Sequence, residues 1–337
     1  MRLESPISPP TLSQREREQE RLLAVIRTMS AQRAPLSNGR WHFQHGPIDI
    51  VIGADGNATA VEAAHTAAWQ RFETVLGELV HELPLLRAPV AGPCALQGVI
   101  ARRMWLACRA VRSGFITPMA AVAGSVADEL IGCYRREGVA RAWVNNGGDI
   151  ALHLAPGQSL RVGLFADLAR FDAAAARDAI GGGLAVDGAF ELHSPLPVRG
   201  VATSGWRGRS FSLGIADSVT VLARTAAQAD AAATVVANAV NLDDPRIQRR
   251  PACELKDDSD LGAIPVTVNV PALDPESVRR ALSAGVSAAH DLQSRGLLWS
   301  AVLVCQGQLA TVDNRDAAAV LGAAAQDATE SAFGALA

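Results

Sequence analysis

The sequence predicts an α+β fold with antiparallel or mixed strands and packed helices. Apolar residues recur at helical spacing in several long segments, and short alternating segments come in pairs between them. One strand does not alternate regularly with one helix, as it would in a doubly wound parallel sheet. The order strands, helices, strands occurs twice, which is compatible with a divergent internal duplication, although no fixed-period repeat is visible.

The first elements follow a polar arm. We expect residues 1–35 to form this arm and a short helix, and residues 36–337 to form one α+β domain. The stretch GRWHFQHGPIDIVIGADG alternates in polarity around Gly46-Pro47, which is typical of two strands joined by a turn. Two helices are then predicted in ATAVEAAHTAAWQRFETVLGELVHEL and ALQGVIARRMWLACRAV, because their apolar residues have helical spacing.

A third helix is predicted between Thr117 and Gly138. Thr117 is of a type that caps helix N-termini, Pro118 suits a first turn, and Gly138 suits the position just past a helix end. Uncovered amides at such an N-terminus attract anions, and Asp128 follows about three turns along. A capped core helix explains the same residues without a ligand.

The second half of the chain is predicted to contain short strands around two helices. The segment APGQSLRVGLFAD indicates a hairpin that turns at Pro156-Gly157, and TAAQADAAATVVANAV indicates a helix after a turn-rich stretch of short strands. Residues 242–262 have the polar, proline-containing composition of a long loop. A strand (VTVNV), a helix (PESVRRALSAGVSAAHDLQSRG) and a strand (LLWSAVLVCQGQ) complete the domain.

Composition excludes several classes of function. With 49% hydrophobic residues the chain can bury a sizeable core, and a net charge of -3 predicts no binding to nucleic acid or to a membrane surface. Lys256 is the only lysine, which excludes a Walker-type phosphate loop. The five cysteines are scattered, so neither a disulfide framework nor a zinc cluster is expected. No apolar signal segment or membrane-length run is present, and we expect a cytoplasmic protein.

The segment VNNGGDI, residues 144–150, is the first candidate site. Asn146 and Gly147 between apolar runs are a strong signal for a hairpin turn. Because a second turn signal follows at Pro156-Gly157, Gly147 and Gly148 can instead form a glycine bulge that lets a ligand approach the backbone, with Asp149 beside it. Both interpretations remain open on the sequence alone.

Two further candidates combine small, hydroxyl and acidic residues. In GVATSG, the residues Thr203, Ser204 and Gly205 have the composition of a phosphate-binding turn or of an ordinary Ser/Gly turn. Asp230 and Thr234 lie four residues apart in a predicted helix and share a face. A carboxylate with a hydroxyl suits a hard cation such as Mg²⁺, although a solvent-facing acid and an ordinary helix threonine fit equally well.

The order of these segments resembles the ApbE-like superfamily, whose best-known members are FAD:protein FMN transferases. The resemblance covers roughly residues 115–240 and lies in TPMAAVAGSVAD, VNNGGDIAL, GVATSG and DSVTVLARTAAQADAAATVV. VNNGGDI, ATSGWRGRSFSLGIADSVTV and SDLG at residues 259–262 are most similar to the small uncharacterised cytoplasmic branch of that superfamily.

The resemblance implies a flavin nucleotide site. It implies that the bound nucleotide, FAD, lies along residues 146–149, which are Asn146, Gly147, Gly148 and Asp149. It places the turn of Thr203, Ser204 and Gly205 against the same ligand, and it matches Asp230 and Thr234 to a pair that binds Mg²⁺. In the transferases the metal bridges the pyrophosphate while FMN passes to a threonine of a partner protein.

The chain departs from the transferases at two places. Ala123 and Gly124 stand where those enzymes have a lysine-glycine pair. RSFSLGIADSVTV runs from the TSG turn into the next strand without the histidine and the DPxTG segment of the transferases. Trp206 and Arg207 beside the turn suit either ligand contact or a core tryptophan with a surface arginine.

Three hypotheses about function follow. The first is a cytoplasmic protein that binds FAD or a related phosphorylated cofactor, with Mg²⁺-dependent FMN transfer as its fullest form. The second is a non-catalytic cofactor-binding or assembly protein, since the lysine and histidine are missing and the alanine-rich helices are compatible with a homo-oligomer. The third, suggested by the resemblance to the cytoplasmic branch, is an enzyme of reduced-pterin one-carbon metabolism.

Overall fold

The computed structural model describes residues 30–164 and 188–314. The predicted polar arm and its short helix lie almost entirely before residue 30, outside the described residues. Residues 165–187 and 315–337 also lie outside them. The division of the chain at residue 35 therefore stays a prediction, although the last four residues of the predicted arm form a strand, Gln32–Pro35.

A large antiparallel sheet organises the described residues. The strands are β1 (Gln32–Pro35), β2 (Trp41–His45), β3 (Ile48–Gly56), β4 (Val139–Asn146), β5 (Asp149–Leu154), β6 (Ser159–Leu164), β7 (Gly188–His193), β8 (Gly200–Ser204), β9 (Ser218–Ala223), β10 (Gln248–Pro251), β11 (Pro265–Asn269), β12 (Ser300–Cys305) and β13 (Gln308–Val312). Nine of them form one sheet in the order β1-β2-β3-β4-β5-β8-β9-β12-β13, while β6 pairs with β7 and β10 with β11.

Seven α-helices accompany these strands within the described ranges. They are α1 (Ala58–His81), α2 (Leu83–Leu86), α3 (Val99–Val111), α4 (Val122–Ile131), α5 (Ala226–Ala239), α6 (Ala252–Leu255) and α7 (Pro275–Ser294). Together with the antiparallel sheet they confirm the predicted α+β class. Among these helices, none combines the length and the apolar character that crossing a membrane requires.

The nine-stranded sheet separates two apolar layers. Along β5 successive side chains alternate between its faces: Ala151 packs into the larger core with the helices, and Leu152 packs into a smaller one. The smaller core lies under the β6–β7 pair and contains Val162 and Leu192. The helices thus cover one face of the sheet and the two-stranded β6–β7 sheet covers part of the other.

The order of strands repeats across the sheet. In the first half, β2-β3 and β4-β5 precede and follow helices α1 to α4; in the second half, β8-β9 and β12-β13 precede and follow α5 to α7. The halves meet where β5 pairs with β8 through two residue pairs, Ile150 with Val201 and Ala151 with Gly200. This is the order that the sequence presents twice; the duplication itself stays a prediction.

Three local predictions need correction. The turn at Pro156-Gly157 exists, but β5 and β6 do not pair, because the turn carries the chain from the large sheet to the β6–β7 sheet. The predicted third helix is shorter: it opens with a 3-10 turn at Pro118–Ala121, and α4 ends at Ile131, so Gly138 does not cap it. Residues 242–262 are not a plain loop, since they contain β10 and α6.

Thr117 does not cap the third helix with its side chain. Its buried hydroxyl instead donates to the carboxylate of Asp260, in the segment Ser259–Gly262. The N-terminus of α4 takes its side-chain acceptor from a different helix. A hydroxyl that bonds a residue far along the chain cannot be distinguished from a cap by local sequence.

Helices α4 and α5 cap each other. The carboxylate of Asp128 in α4 accepts hydrogen bonds from the backbone N–H groups of Ala226 and Ala227, 3.0 and 2.9 Å away, at the start of α5. In return, Asp230 in α5 accepts from the N–H of Gly124, 2.9 Å away, near the start of α4. Each acid satisfies amides that have no partner within their own helix and lies at the positive end of the other helix dipole.

The mutual capping requires close backbone contact. A Cβ atom on Gly124 would lie 2.3 Å from the carbonyl oxygen of Ala226, so no other residue fits at position 124 without moving a helix. The two helices also carry small residues at this contact, including Ala226 and Ala229.

The substitution Gly124→Ala should therefore lower the free energy of unfolding by about 2 kcal/mol or more, as overpacking against backbone does. Chemical denaturation followed by circular dichroism measures the change. Gly132→Ala is the matched control, because Gly132 has a right-handed helical conformation and open space at its Cβ position. Equal stability of the two variants would contradict the close contact.

The contacts of Glu129 with two arginines make the stability of the protein depend on pH. Its carboxylate accepts from Arg71 at 2.9 Å and from Arg103 at 2.8 Å. Partial burial raises the pKa of Glu129, but the two arginines outweigh it and hold that pKa below its usual value. Because the folded-state pKa is depressed, this stabilisation is present above the unfolded pKa and is lost as the pH falls through the folded value.

The substitution Glu129→Gln should thus destabilise the protein at pH 7 by about 1–3 kcal/mol, the range for charged hydrogen bonds. The difference in stability between the variant and the unsubstituted protein should shrink below about pH 4, because Glu129 then becomes protonated in the folded as well as in the unfolded protein. Thermal unfolding at several pH values measures it. A difference that stays constant from pH 7 to pH 3 would argue against the ionised contact.

Candidate functional site

The GGD segment forms a tight hairpin between β4 and β5. Asn146 pairs with Asp149 across a two-residue turn, and Gly147 and Gly148 have φ values of 68° and 111°. These left-handed conformations favour glycine and match the twist of a two-residue hairpin. The hairpin interpretation is therefore right, and the glycine bulge within a strand is wrong.

The two amides before the turn hold it in place. The Oδ1 of Asn145 accepts from the N–H of Gly148 at 2.8 Å. The buried side chain of Asn146 donates to the carbonyl of Ala123 at 3.1 Å, which attaches the hairpin to the start of α4. Asn146 thus positions the turn against the helix, and the exposed part of the hairpin is Gly147.

Asp149 links the hairpin to the TSG strand. It follows the turn on the side of the sheet that faces the helices, since Ala151 two residues later packs there. Its carboxylate accepts a long hydrogen bond, 3.3 Å, from the backbone N–H of Thr203. Burial raises the pKa of Asp149 above its usual value, against the opposing effects of this hydrogen bond and of the Arg209 charge.

Asp230 lies close enough to Asp149 for the two charges to interact. Burial is the main cause that raises the pKa of Asp230 well above its usual value, and the charge of Asp149 is the next. The N–H groups of Gly124 and Ala123 oppose this rise. Thr234 is half-buried one turn further along α5. The structure therefore brings together a pair of carboxyls that cannot both ionise without cost.

The TSG residues differ in their contacts with the rest of the protein. The Thr203 hydroxyl lies 2.9 Å from that of Thr220 on β9, while its backbone N–H meets Asp149. A Cβ on Gly205 would lie 2.4 Å from the carbonyl oxygen of Asp217, so Gly205 is required by packing against the chain itself. Ser204 is half-buried and lies on the same face of β8 as Ala202, which packs against the helices.

The residues after Gly205 fold back over the sheet. Trp206 packs against the larger core, and its indole N–H donates to Asp217 at 3.3 Å. Arg207 is exposed and its guanidinium stacks 4.8 Å from the centre of that ring. Of the two interpretations of this pair, the core tryptophan with a surface arginine fits these contacts.

Arg209 is a residue that sequence reasoning missed. Its guanidinium lies directly over Gly147, at a point 1.6 Å from where a Cβ of that glycine would stand. Its positive charge also opposes the rise that burial causes in the pKa of Asp149. No sequence signal singles out Arg209 from Arg207, because its position depends on how the loop returns to the hairpin.

Asp260 is a second residue that sequence reasoning missed. Beyond its contact with Thr117, its charge acts with that of Asp230 on the thiol of Cys108, whose pKa is raised first by burial. The SDLG segment therefore lies near the N-terminal side of α4. Its role is open on the sequence, and the structure places its Asp260 against Thr117, just before the 3-10 turn that leads into α4.

Cavity shape does not by itself mark this region as a pocket. Two open depressions of the described surface lie elsewhere: one of about 440 Å³ contains Arg109 and Arg112, and one of about 690 Å³ lies along the first turns of α1. Within residues 30–164 and 188–314, no three His, Cys, Asp or Glu side chains stand together as metal ligands. The carboxyl pair would need further oxygen ligands to hold a cation.

Comparison with known proteins identifies the family. A family model described as AbpE bacteria matches residues 31–311, and the chain belongs to this family. The resemblance to the ApbE-like superfamily is thereby confirmed. A UPF0280 protein of Methanopyrus kandleri is 33% identical over 212 residues, which are 62% of this chain and 78% of that protein.

Other relatives match over a smaller share of their length. A UPF0280 protein of Methanospirillum hungatei is 34% identical over 41% of this chain and 51% of that protein. One of Methanothrix thermoacetophila is 35% identical over 48% of this chain and 57% of that protein. The chain thus spans about half the length of these two relatives.

Two solved structures are similar at low sequence identity. The ApbE protein of Thermotoga maritima has a TM-score of 0.44 and 13% identity, covering 86% of this chain and 97% of that one. The apo flavinyl transferase ApbE of Pseudomonas stutzeri has a TM-score of 0.39 and 14% identity, covering 86% and 95%. Both scores are low, and the family assignment rests on the sequence match.

The hydroxyl pair of Thr203 and Thr220 gives a test of what the TSG threonine does. Thr203→Val removes one partner and leaves the buried Thr220 hydroxyl unsatisfied, which should cost about 1–3 kcal/mol of unfolding free energy. The double substitution with Thr220→Val should recover most of that loss. Denaturant unfolding of the three variants measures the cycle. Additive losses would mean that the hydroxyls are not partners.

Proposed function

We propose that the protein binds a flavin nucleotide of the FAD class together with Mg²⁺, between the β4–β5 hairpin and the first turns of α4 and α5. The observation that carries the proposal is the pair of half-buried carboxyls, Asp149 and Asp230, each with a raised pKa. A divalent cation relieves their repulsion, and Mg²⁺ prefers oxygen ligands.

The residues present fit Mg²⁺. Asp230 and Thr234 offer a carboxylate and a hydroxyl one helical turn apart, and the charge of Asp149 on β5 interacts with Asp230. Mg²⁺ in nucleotide sites is held by one or two carboxylates and completes its shell with water and phosphate oxygens. Two carboxylates without a third acidic or imidazole ligand are therefore sufficient here, provided that the ligand brings phosphate.

The protein groups around the pair suit a phosphorylated ligand. Gly147 is exposed at the tip of the hairpin, and the guanidinium of Arg209 lies over it. Family membership supports the flavin part of the proposal, since the GGD and TSG segments that carry the family resemblance meet through Asp149 and Thr203. Bound Mg²⁺ would supply electrostatic stabilisation of pyrophosphate charge.

One observation favours binding without FMN transfer. Ala123 stands where the transferases have lysine, and the next residue, Gly124, is packed against the carbonyl of Ala226. The backbone groups at this position already have hydrogen-bond partners: the Ala123 carbonyl accepts from Asn146, and the Gly124 N–H donates to Asp230. A non-catalytic cofactor-binding or assembly protein is therefore the second candidate function.

Calorimetric titration with FAD, FMN and ATP, with and without Mg²⁺, tests the proposal. FAD should bind, and Mg²⁺ should increase its affinity. Asp230→Asn should lower the Mg²⁺-dependent affinity at least tenfold, while its amide oxygen still accepts from Gly124. Asp291→Asn, at an exposed acid on α7, is the matched control and should change nothing.

Each result of the titration has one meaning. Mg²⁺-dependent affinity that is unchanged in Asp230→Asn would overturn the metal assignment. Absence of FAD binding by the unsubstituted protein would overturn the flavin assignment, and a reduced pterin would be the next ligand to titrate. A turnover assay with FAD, Mg²⁺ and a threonine-containing acceptor then separates the two candidate functions, since clear FMN transfer excludes the non-catalytic one.

A further inference from the structure

The guanidinium of Arg209 lies in space that Gly147 leaves open because it has no side chain. Its Nη2 atom occupies the space beside the Cα of Gly147, where any larger residue would collide with it. The positive φ of Gly147 is required by the hairpin, but the position of the guanidinium over the turn is a separate feature of the loop after Gly205. The turn therefore leaves room for the positively charged guanidinium of Arg209.

The charge of Arg209 is not taken up by a partner among the residues that the structure describes. Across residues 30–164 and 188–314, no carboxylate lies within ion-pairing distance of its guanidinium, although Asp149 is near enough to interact through space. By contrast, Arg71, Arg103, Arg141 and Arg246 all make direct ion pairs with acids. Arg209 is exposed and leaves its donors for a ligand.

Arg209 and Asp230 both lie near Asp149. Asp149 interacts with the charge of Arg209 and also with that of Asp230. A cation held by the two acids and an anion held by the arginine would thus be neighbours. Magnesium bound to a phosphate group has this arrangement of charge.

We propose that Arg209 binds a phosphate group of the ligand whose Mg²⁺ counter-ion lies at Asp149 and Asp230. This inference rests on the proposed function for its metal, and it adds the residue that selects phosphorylated ligands over neutral ones. Guanidinium presents paired N–H donors that match two phosphate oxygens, which lysine cannot do with the same geometry. The neighbouring Arg207 stacks on Trp206 and has no part in this contact.

The test compares Arg209→Gln with Arg207→Gln. Three probes are titrated in the presence of Mg²⁺: inorganic pyrophosphate, FAD and riboflavin, which lacks phosphate. Arg209→Gln should weaken binding of pyrophosphate and FAD at least tenfold, in line with the loss of a charge-assisted contact, and should leave riboflavin unaffected. Arg207→Gln is the matched control and should bind all three probes as the unsubstituted protein does.

A second pair of variants moves the guanidinium without removing it. Gly147→Ala places a methyl group where Arg209 lies, whereas Gly157→Ala introduces the same strain at a turn glycine with φ of 78° and open space around it. Both should lose some stability. Only Gly147→Ala should weaken pyrophosphate binding.

The outcomes separate this inference from the proposed function. FAD binding that is equal in Arg209→Gln and the unsubstituted protein overturns the inference and leaves the proposed function standing. Arginine-dependent pyrophosphate binding without FAD binding supports the inference and overturns the flavin assignment. Equal loss of riboflavin and FAD affinity in Arg209→Gln also overturns the inference, because the arginine would then act on the fold. Binding of no probe overturns both.

Discussion

The exchange of caps between α4 and α5 is the contact on which the rest of the structure depends. Each helix gives a carboxylate to the free N–H groups of the other, through Asp128 and Asp230, and Gly124 lets the backbones approach. Helix termini buried without partners are costly, so neither helix can start where it does without its neighbour. Because α4 belongs to the first half of the sheet and α5 to the second, this contact also joins the halves.

The same contact fixes the backbone at the start of α4. With the backbones of α4 and α5 this close, the first turn of α4 has its carbonyl and amide groups committed to Asn146 and Asp230. Asp230 then combines two tasks that conflict in the absence of a cation, because a carboxylate that caps a helix is best ionised, while burial and Asp149 oppose its ionisation. Binding of a divalent cation would remove the conflict.

The sequence predicts those features that depend on neighbours along the chain. The spacing of apolar residues places α1, α3, α5 and α7, and the family motifs identify the segments that meet at Asp149. It fails where a side chain finds its partner far away: Thr117 looks like a cap but bonds Asp260, and Arg209 reaches Gly147 by a loop that has no local signature. The turn at Pro156-Gly157 is correct as a turn and wrong as a hairpin, because only strand pairing distinguishes the two.

The two residue pairs that join β5 to β8 have an evolutionary consequence. The proposed site is a composite, since Asn146, Gly147 and Asp149 belong to the first half of the sheet, whereas Thr203, Arg209 and Asp230 belong to the second. Neither half holds both the acids and the arginine. If the halves descend from one ancestral unit, the ancestor had to pair with a second copy of itself to build such a site. Fusion then allowed the two copies to specialise, so that one supplies the glycine turn and the other supplies Arg209.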